Sequence, residues 1–283
     1  MPISLLLLAI ALPGSAPLLP QSPAAQSHSA PLPNPIALLQ RAIANEKKLA
    51  AEQERYECRV SDQIVQTDKN GNVKKTTTEV KDQFFVNGIA IEHTLSKNGK
   101  ELSPGELKKE DARVMKETVK YSNQAAAQKE TDQQNQQVQD FLEAMMMSNG
   151  RRILEDGRPI LAYAIVPNPR FNPRNLNQRM ATVLQGTVSI DETSGQIVDL
   201  NVRSLADVKV GGGLLANLHK GFWFHIHNHA EPDGVWLTDL AEGSGDARAA
   251  LFFHPYFRFR ESTSGCHLYS ATAAQVGQAK PVK

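Results

Sequence analysis

Cysteine is nearly absent from this 283-residue chain, which holds only Cys58 and Cys266. A small fold stapled by several disulfides is thereby excluded, and so is a zinc site built on paired cysteines. Aromatic residues make up 6% of the sequence, and the formal net charge is +1. So neutral a balance gives no electrostatic case for nucleic acid, which would need a basic face or stripe. The basic runs Lys74-Lys75 and Lys108-Lys109 lie among acids and amides, as solvated faces do. No apolar run reaches the roughly 20 residues that a membrane-crossing helix needs. Gly-x-Ser-x-Gly, His-Glu-x-x-His and a glycine-rich phosphate loop are also missing. Ser264-Gly265-Cys266-His267 sets a thiol beside an imidazole. Successive strand residues point to opposite faces, so this pair does not act as nucleophile and base. The expectation is a monomer that is neither an enzyme nor transmembrane, with no nucleic-acid partner and no cofactor beyond a possible zinc ion.

Charge is missing altogether before Arg41. Residues 3–12 are apolar, then come Pro13, Gly14 and small residues around Ala24-Ala25. This is the hydrophobic and cleavage pattern of a secretory signal. Residues 1–26 are therefore read as a signal peptide and 27–33 as a Pro-rich spacer, which places the protein in the periplasm or outside the cell. In an oxidising compartment Cys58 and Cys266 either pair, tying the first strand to the last, or remain two buried thiols. Sequence does not choose between these.

What is present is mostly strand. Asn34 caps a helix with Pro35 at its first position, and Ile36, Leu39 and Ile43 give it an apolar stripe running to about residue 55. Strands follow at 56–66, 73–80 and 83–95, with hairpin signals at Asn70-Gly71 and Asn98-Gly99 and a break at Asn87-Gly88. Asp68, Asn70, Asn72 and Glu79 mimic calcium-loop positions, but Val73 stands where that loop needs glycine, so the segment reads as a turn. A polar insert spans about 97–137: a charged helix from Ser103, then a Gln-rich stretch, 121–137, expected to be mobile. Val138, Phe141, Leu142, Met145 and Met146 continue as an amphipathic helix that Asn149-Gly150 would end. Its methionines suit either a lid over an apolar ligand or ordinary core packing.

The remainder alternates strand by strand. Leu184, Val188 and Ile190 share one face, as do Val198, Leu200 and Val202. In residues 222–229, Phe222, Phe224 and Ile226 take one face and Trp223, His225, His227 and His229 the other. A last strand at 249–261 sets Phe253, Phe257 and Phe259 opposite His254, Tyr256, Arg258 and Arg260. The fold class expected is α+β: a curved antiparallel sheet, or incomplete β-barrel, covered by amphipathic helices. It forms one domain over 34–270, followed by a flexible tail at 271–283.

Val166-Pro167-Asn168-Pro169, the run 184–191, Lys220-Gly221-Phe222 and Asp233-Gly234-Val235-Trp236-Leu237 resemble the LolA/LolB-like superfamily of periplasmic lipoprotein carriers, in an uncharacterised exported branch. The resemblance implies an incomplete barrel whose apolar cavity takes a lipid or a lipoprotein acyl chain. Leu184, Val188, Ile190, Val198, Leu200, Val202, Phe222, Phe224, Ile226, Phe141 and Met145 would line that cavity or form plain core. Two other readings stand beside it. One is a metal site on His225, His227 and His254, since histidines two apart on a strand can reach one Zn²⁺ at about 2.0 to 2.1 Å. The other is an envelope interaction module whose barrel is filled by its own side chains.

Overall fold

Short turns join many of the consecutive strands and helices or longer segments join the others, and pairing among the described residues is antiparallel throughout. A computed structural model describes residues 31–68, 70–210, 216–218, 220–246 and 256–268. Two short helices come first, α1 (Pro35–Ala44) and α2 (Glu46–Gln53). The Asn34 side chain accepts the Ile36 N–H at 2.9 Å and opens α1 as the sequence predicts. The expected single helix to residue 55 is broken at Asn45.

Four strands follow: β1 (Tyr56–Thr67), β2 (Val73–Val86), β3 (Ile89–Lys97) and β4 (Lys100–Glu101). Asn87 and Gly88, both at positive φ (49° and 78°), make the β2–β3 turn. That backbone matches the twist of a two-residue hairpin, so the break ends one long strand and starts the next. Helices α3 (Pro104–Ser122) and α4 (Gln124–Ala144) form the polar insert. Then come β5 (Met145–Glu155), β6 (Arg158–Pro167), α5 (Leu176–Ala181), β7 (Leu184–Asp191) and β8 (Ile197–Ser204). A small ribbon, β9 (Val208–Val210) with β10 (Ala216–Leu218), precedes β11 (Trp223–Ala230), β12 (Trp236–Asp246) and β13 (Tyr256–Leu268).

Eleven strands make one unclosed antiparallel sheet in the order β4-β3-β2-β1-β13-β12-β11-β8-β7-β6-β5. The first strands thus sit beside the last. Cys58 on β1 and Cys266 on β13 are joined by a disulfide, Cα–Cα 4.1 Å, which settles the alternative left open above. Helix α4 touches β3 near one edge of the sheet and β5 at the other. A 21-residue helix is only about 31 Å long, so a sheet of this width must curve for both edges to meet it. The residues from Leu32 onward form one unit. No described helix is long and apolar enough to cross a membrane.

Three expectations between residues 121 and 150 need correction. Residues 121–137 are helical, because the Asn123 side chain accepts the Ala126 N–H and the following Ala and Gln residues favour helix. The helix stops at Ala144, so Met145, Met146 and Met147 are not on a covering helix. They begin β5 and pair with Pro167, Val166 and Ile165. Asn149-Gly150 then lies inside β5 as a bulge, with Asn149 at φ 53° and the register shifting between Ser148 and Arg151. Inward apolar spacing at 141, 142 and 145 fitted a helix, but the ladder with β6 takes the methionines.

The main core lies where α1, the end of α4 and α5 cover β5–β8. Leu38, Leu39, Leu142, Leu161, Ile165 and Ile190 are among its buried residues. A second cluster surrounds the disulfide, with Tyr56, Val235 and Leu237. A third joins Ile160, Val198 and Trp236 to Leu49 of α2.

Candidate functional site

The eleven residues expected to line a cavity divide into two groups. Leu184, Val188, Ile190, Val198, Val202 and Met145 are buried. All but Val198 belong to the main core; Val198 packs with Ile160 and Trp236. Leu200, Phe141 and Phe224 are partly buried against the main core. At Leu184, Val188, Ile190 and Val202 the surface is therefore occupied by the protein's own helices. Phe222 and Ile226 lie further along the sheet and are half-buried.

The remaining apolar surface follows the strand register. Phe224 is level with Val202 on β8 and Gly243 on β12; Gly243 is level with Phe259 on β13, and Phe259 with Ile64 on β1. Paired residues share a face, so these side chains form one row. The Phe224 and Phe259 rings are 6.1 Å apart, and Phe257 and Phe259 are 6.4 Å apart. Two glycines make room for the rings. A Cβ on Gly243 would come 2.7 Å from the Phe259 ring, and one on Gly245 would come 2.6 Å from Phe222. No described helix covers this row as helices cover β5–β8: Ile64 is 43% exposed and Phe257 and Phe259 are only half-buried. At its end opens a cleft of about 390 Å³, with Phe222, Gly245, Phe257, Thr67 and Lys220 in its wall.

Charge begins where the aromatics stop, on the same face. Asp62 is two residues from Ile64, and Glu261 is two from Phe259 and level with Asp62. Lys81 of β2 pairs with Asp62 and, at 2.6 Å, with Glu92 of β3. One ammonium thus meets two carboxylates, with Glu261 beside them, and Asp62 Oδ1 is buried without a hydrogen-bond partner. Burial, with the neighbouring Asp62 and Glu92 carboxylates, pushes the Glu261 carboxyl above its ordinary range despite Lys81. For Lys81, burial pulls the ammonium down, but hydrogen bonds to Asp62 and Glu92 outweigh it and hold the group charged.

The histidines lie on the opposite face. His225 Nε2 is 2.6 Å from Asp199 on β8, and its Nδ1 is 3.4 Å from Glu242 on β12. One carboxylate at each ring nitrogen cannot share an ion with the imidazole between them. Burial lowers the His225 pKa, but the two acids prevail and the net shift is upward. His227 Nδ1 meets Asp239 at 2.6 Å. Asp239 is the extra residue of a bulge, skipped where His227 pairs with Leu240 and Asn228 with Thr238, and the bulge sets its carboxylate between two histidines. His229 takes Glu231 at 3.0 Å. His254 lies outside the described residues, as does Phe253. Among the described residues no group of three or more His, Cys, Asp or Glu side chains is placed to hold a metal ion.

Sequence reading missed Asp62, Lys81, Glu92 and Glu261 as a cluster. Alternation alone puts Cys58, Val60, Asp62 and Ile64 on one face of β1, and a Cys58–Cys266 pairing would have set β13 beside it. It also missed Asp140, a buried carboxylate on α4 that accepts Gln178 Nε2 and Asn175 Nδ2 at 3.0 Å each. Burial opposes its ionisation, but these amides prevail and hold its pKa low, latching α4 to α5.

No protein-family model and no curated protein matches this chain. Among solved structures, MucB in complex with MucA(peri) aligns at 9% identity, over 84% of this chain and 100% of that one, with a TM-score of 0.21. A likeness at that level bears on neither fold nor function.

Proposed function

We propose that this is an exported, non-enzymatic protein that binds an apolar ligand on the aromatic row of its sheet. The ligand class is a lipid or the acyl chain of a lipoprotein, as the LolA/LolB-like resemblance implies. The row of Phe222, Phe224, Phe257, Phe259 and Ile64 carries this reading, because it is contiguous, apolar and not buried under the helices that cover β5–β8. The cleft at its end sets Phe222 and Phe257 beside Thr67, Ser244, Lys220 and Arg258, a mixture of apolar wall and polar groups suited to a ligand with an apolar chain and a polar head. The disulfide and the apolar leader support an oxidising, exported setting. The covered part of the sheet, β5–β8, is assigned to stability.

Native mass spectrometry of the purified chain, and displacement of a fluorescent fatty acid from the delipidated protein, test this. Lipid should co-purify, and Gly245→Val, which drives a side chain into the Phe222 ring, should weaken fatty-acid binding at least about tenfold. Phe257→Ala, which opens space instead, should weaken it less. A wild type that neither carries lipid nor binds the fatty acid overturns the proposal.

A further inference from the structure

Helix α3 distributes its charge unevenly around its axis. Its inward acids are engaged: Glu110 Oε1 accepts the Thr94 N–H at 2.7 Å, and Glu110 and Glu117 both pair with Arg113. Arg113 also donates to the Glu92 carbonyl, so the helix satisfies backbone groups along the open edge of β3. Hydrogen bonding from Arg113, with that of Thr94, holds the Glu110 carboxyl down at about 2. Glu106 is held in the capping box with Ser103, and Asp111 meets His93 at 3.0 Å on one flank.

The outer face is the reverse. Lys108, Ala112, Met115 and Val119, spaced by four, three and four residues, make one exposed row. Lys109, Lys116 and Lys120, spaced by seven and four, make the next, also exposed. Met115 and Val119 are 63% and 68% exposed, one turn apart, on a helix with no buried residue. An ordinary solvated helix face places polar residues there. Two large apolar side chains bordered by four lysines fit a surface that is both anionic and able to take apolar groups.

We propose that the outer face of α3 docks on an anionic phospholipid bilayer. The lysines meet headgroup phosphates and lay their stems along the interface, while Met115 and Val119 enter the acyl boundary. Charge complementarity selects the occupant: four lysines and no unengaged acid face outward. This inference is independent of the ligand assigned to the aromatic row.

Flotation of the full chain with vesicles tests it. The protein should float with vesicles of equal parts phosphatidylglycerol and phosphatidylcholine, not with pure phosphatidylcholine, and high salt should release it. Lys108→Glu, Lys109→Glu and Lys116→Glu together should lower association at least about tenfold. Met115→Ser with Val119→Ser should lower it several-fold, both sets keeping the wild-type circular dichroism. Phe257→Ala should float as the wild type does, which separates this surface from the ligand site. Absence of flotation, equal flotation with neutral vesicles, or full binding by the lysine variant overturns the proposal. So does binding of polyglutamate without vesicle binding, which would point to an acidic protein partner.

Discussion

Strands β5–β8 bury Leu161, Ile165, Val188 and Ile190 under α1, α4 and α5, whereas β1–β3 and β13 set Asp62, Lys81, Glu92 and Glu261 on one face. One part of the sheet is held by apolar packing under helices, the other by a disulfide within a small apolar cluster and by an ionic cluster. Between them, on β11–β13 and β1, lies the aromatic row. The difference locates function by elimination: the well-packed part has its surface filled, and the part fastened by other means leaves apolar surface unclaimed.

The disulfide offers the strongest way to break that comparison. Cys58 and Cys266 are 208 residues apart, so their bond constrains nearly the whole unfolded chain. Cys58→Ser with Cys266→Ser should cost up to about 5 kcal/mol of unfolding free energy, read by urea titration. A loss below about 1 kcal/mol would mean that strand pairing alone fastens β1 to β13. In the packed part, Leu161→Ala removes a fully buried side chain from the main core and should cost about 3 kcal/mol in the same measurement. A cost as small as that of a surface change would place the stabilising core elsewhere.

Much of this contrast was legible in the sequence. Alternation in 184–190, 198–202 and 222–226 fixed which side chains face inward, because an error of one residue would reverse every one of them. The turns at Asn70-Gly71 and Asn98-Gly99 were legible because only a few residue types accept such backbone. Asn87-Gly88, by contrast, reads in the sequence only as a break within a strand at 83–95 and is in fact the turn between β2 and β3. What failed was local pattern without pairing information. Met145 continued a helical stripe as well as it began a strand, and the ladder with β6 decided between them. The assignment of core and cavity also failed locally: Leu184 and Phe257 are equally apolar, and only the helices packed above distinguish them. The carboxylates around Lys81 come from β1, β3 and β13, so no window of sequence contains them together.

Removing the ammonium from that cluster should have the third largest effect. Lys81→Met leaves three carboxylates with no cation among them, and one-sided loss of a largely buried ion pair should cost about 3 kcal/mol near neutral pH. If the variant matches the wild type, the ionic cluster contributes nothing and the disulfide alone distinguishes this part of the sheet.

Glu261 sharpens the same point with the opposite sign. Its carboxyl sits above its ordinary value because of burial and the Asp62 and Glu92 charges. Between the unfolded and folded values the native state therefore binds more protons than the unfolded chain, and stability falls as pH rises through that interval. Below the unfolded value, near 4.3, the carboxyl is protonated in both states and the penalty vanishes. Glu261→Gln removes the ionisation while keeping shape and hydrogen-bonding capacity. It should be more stable than the wild type at pH 7, and the gain should disappear at pH 4. The expected gain is small, since Lys81 offsets part of the repulsion, and urea titrations at the two pH values measure it. An equal gain at both would assign the effect to packing and remove charge from the account of how this part of the sheet is held.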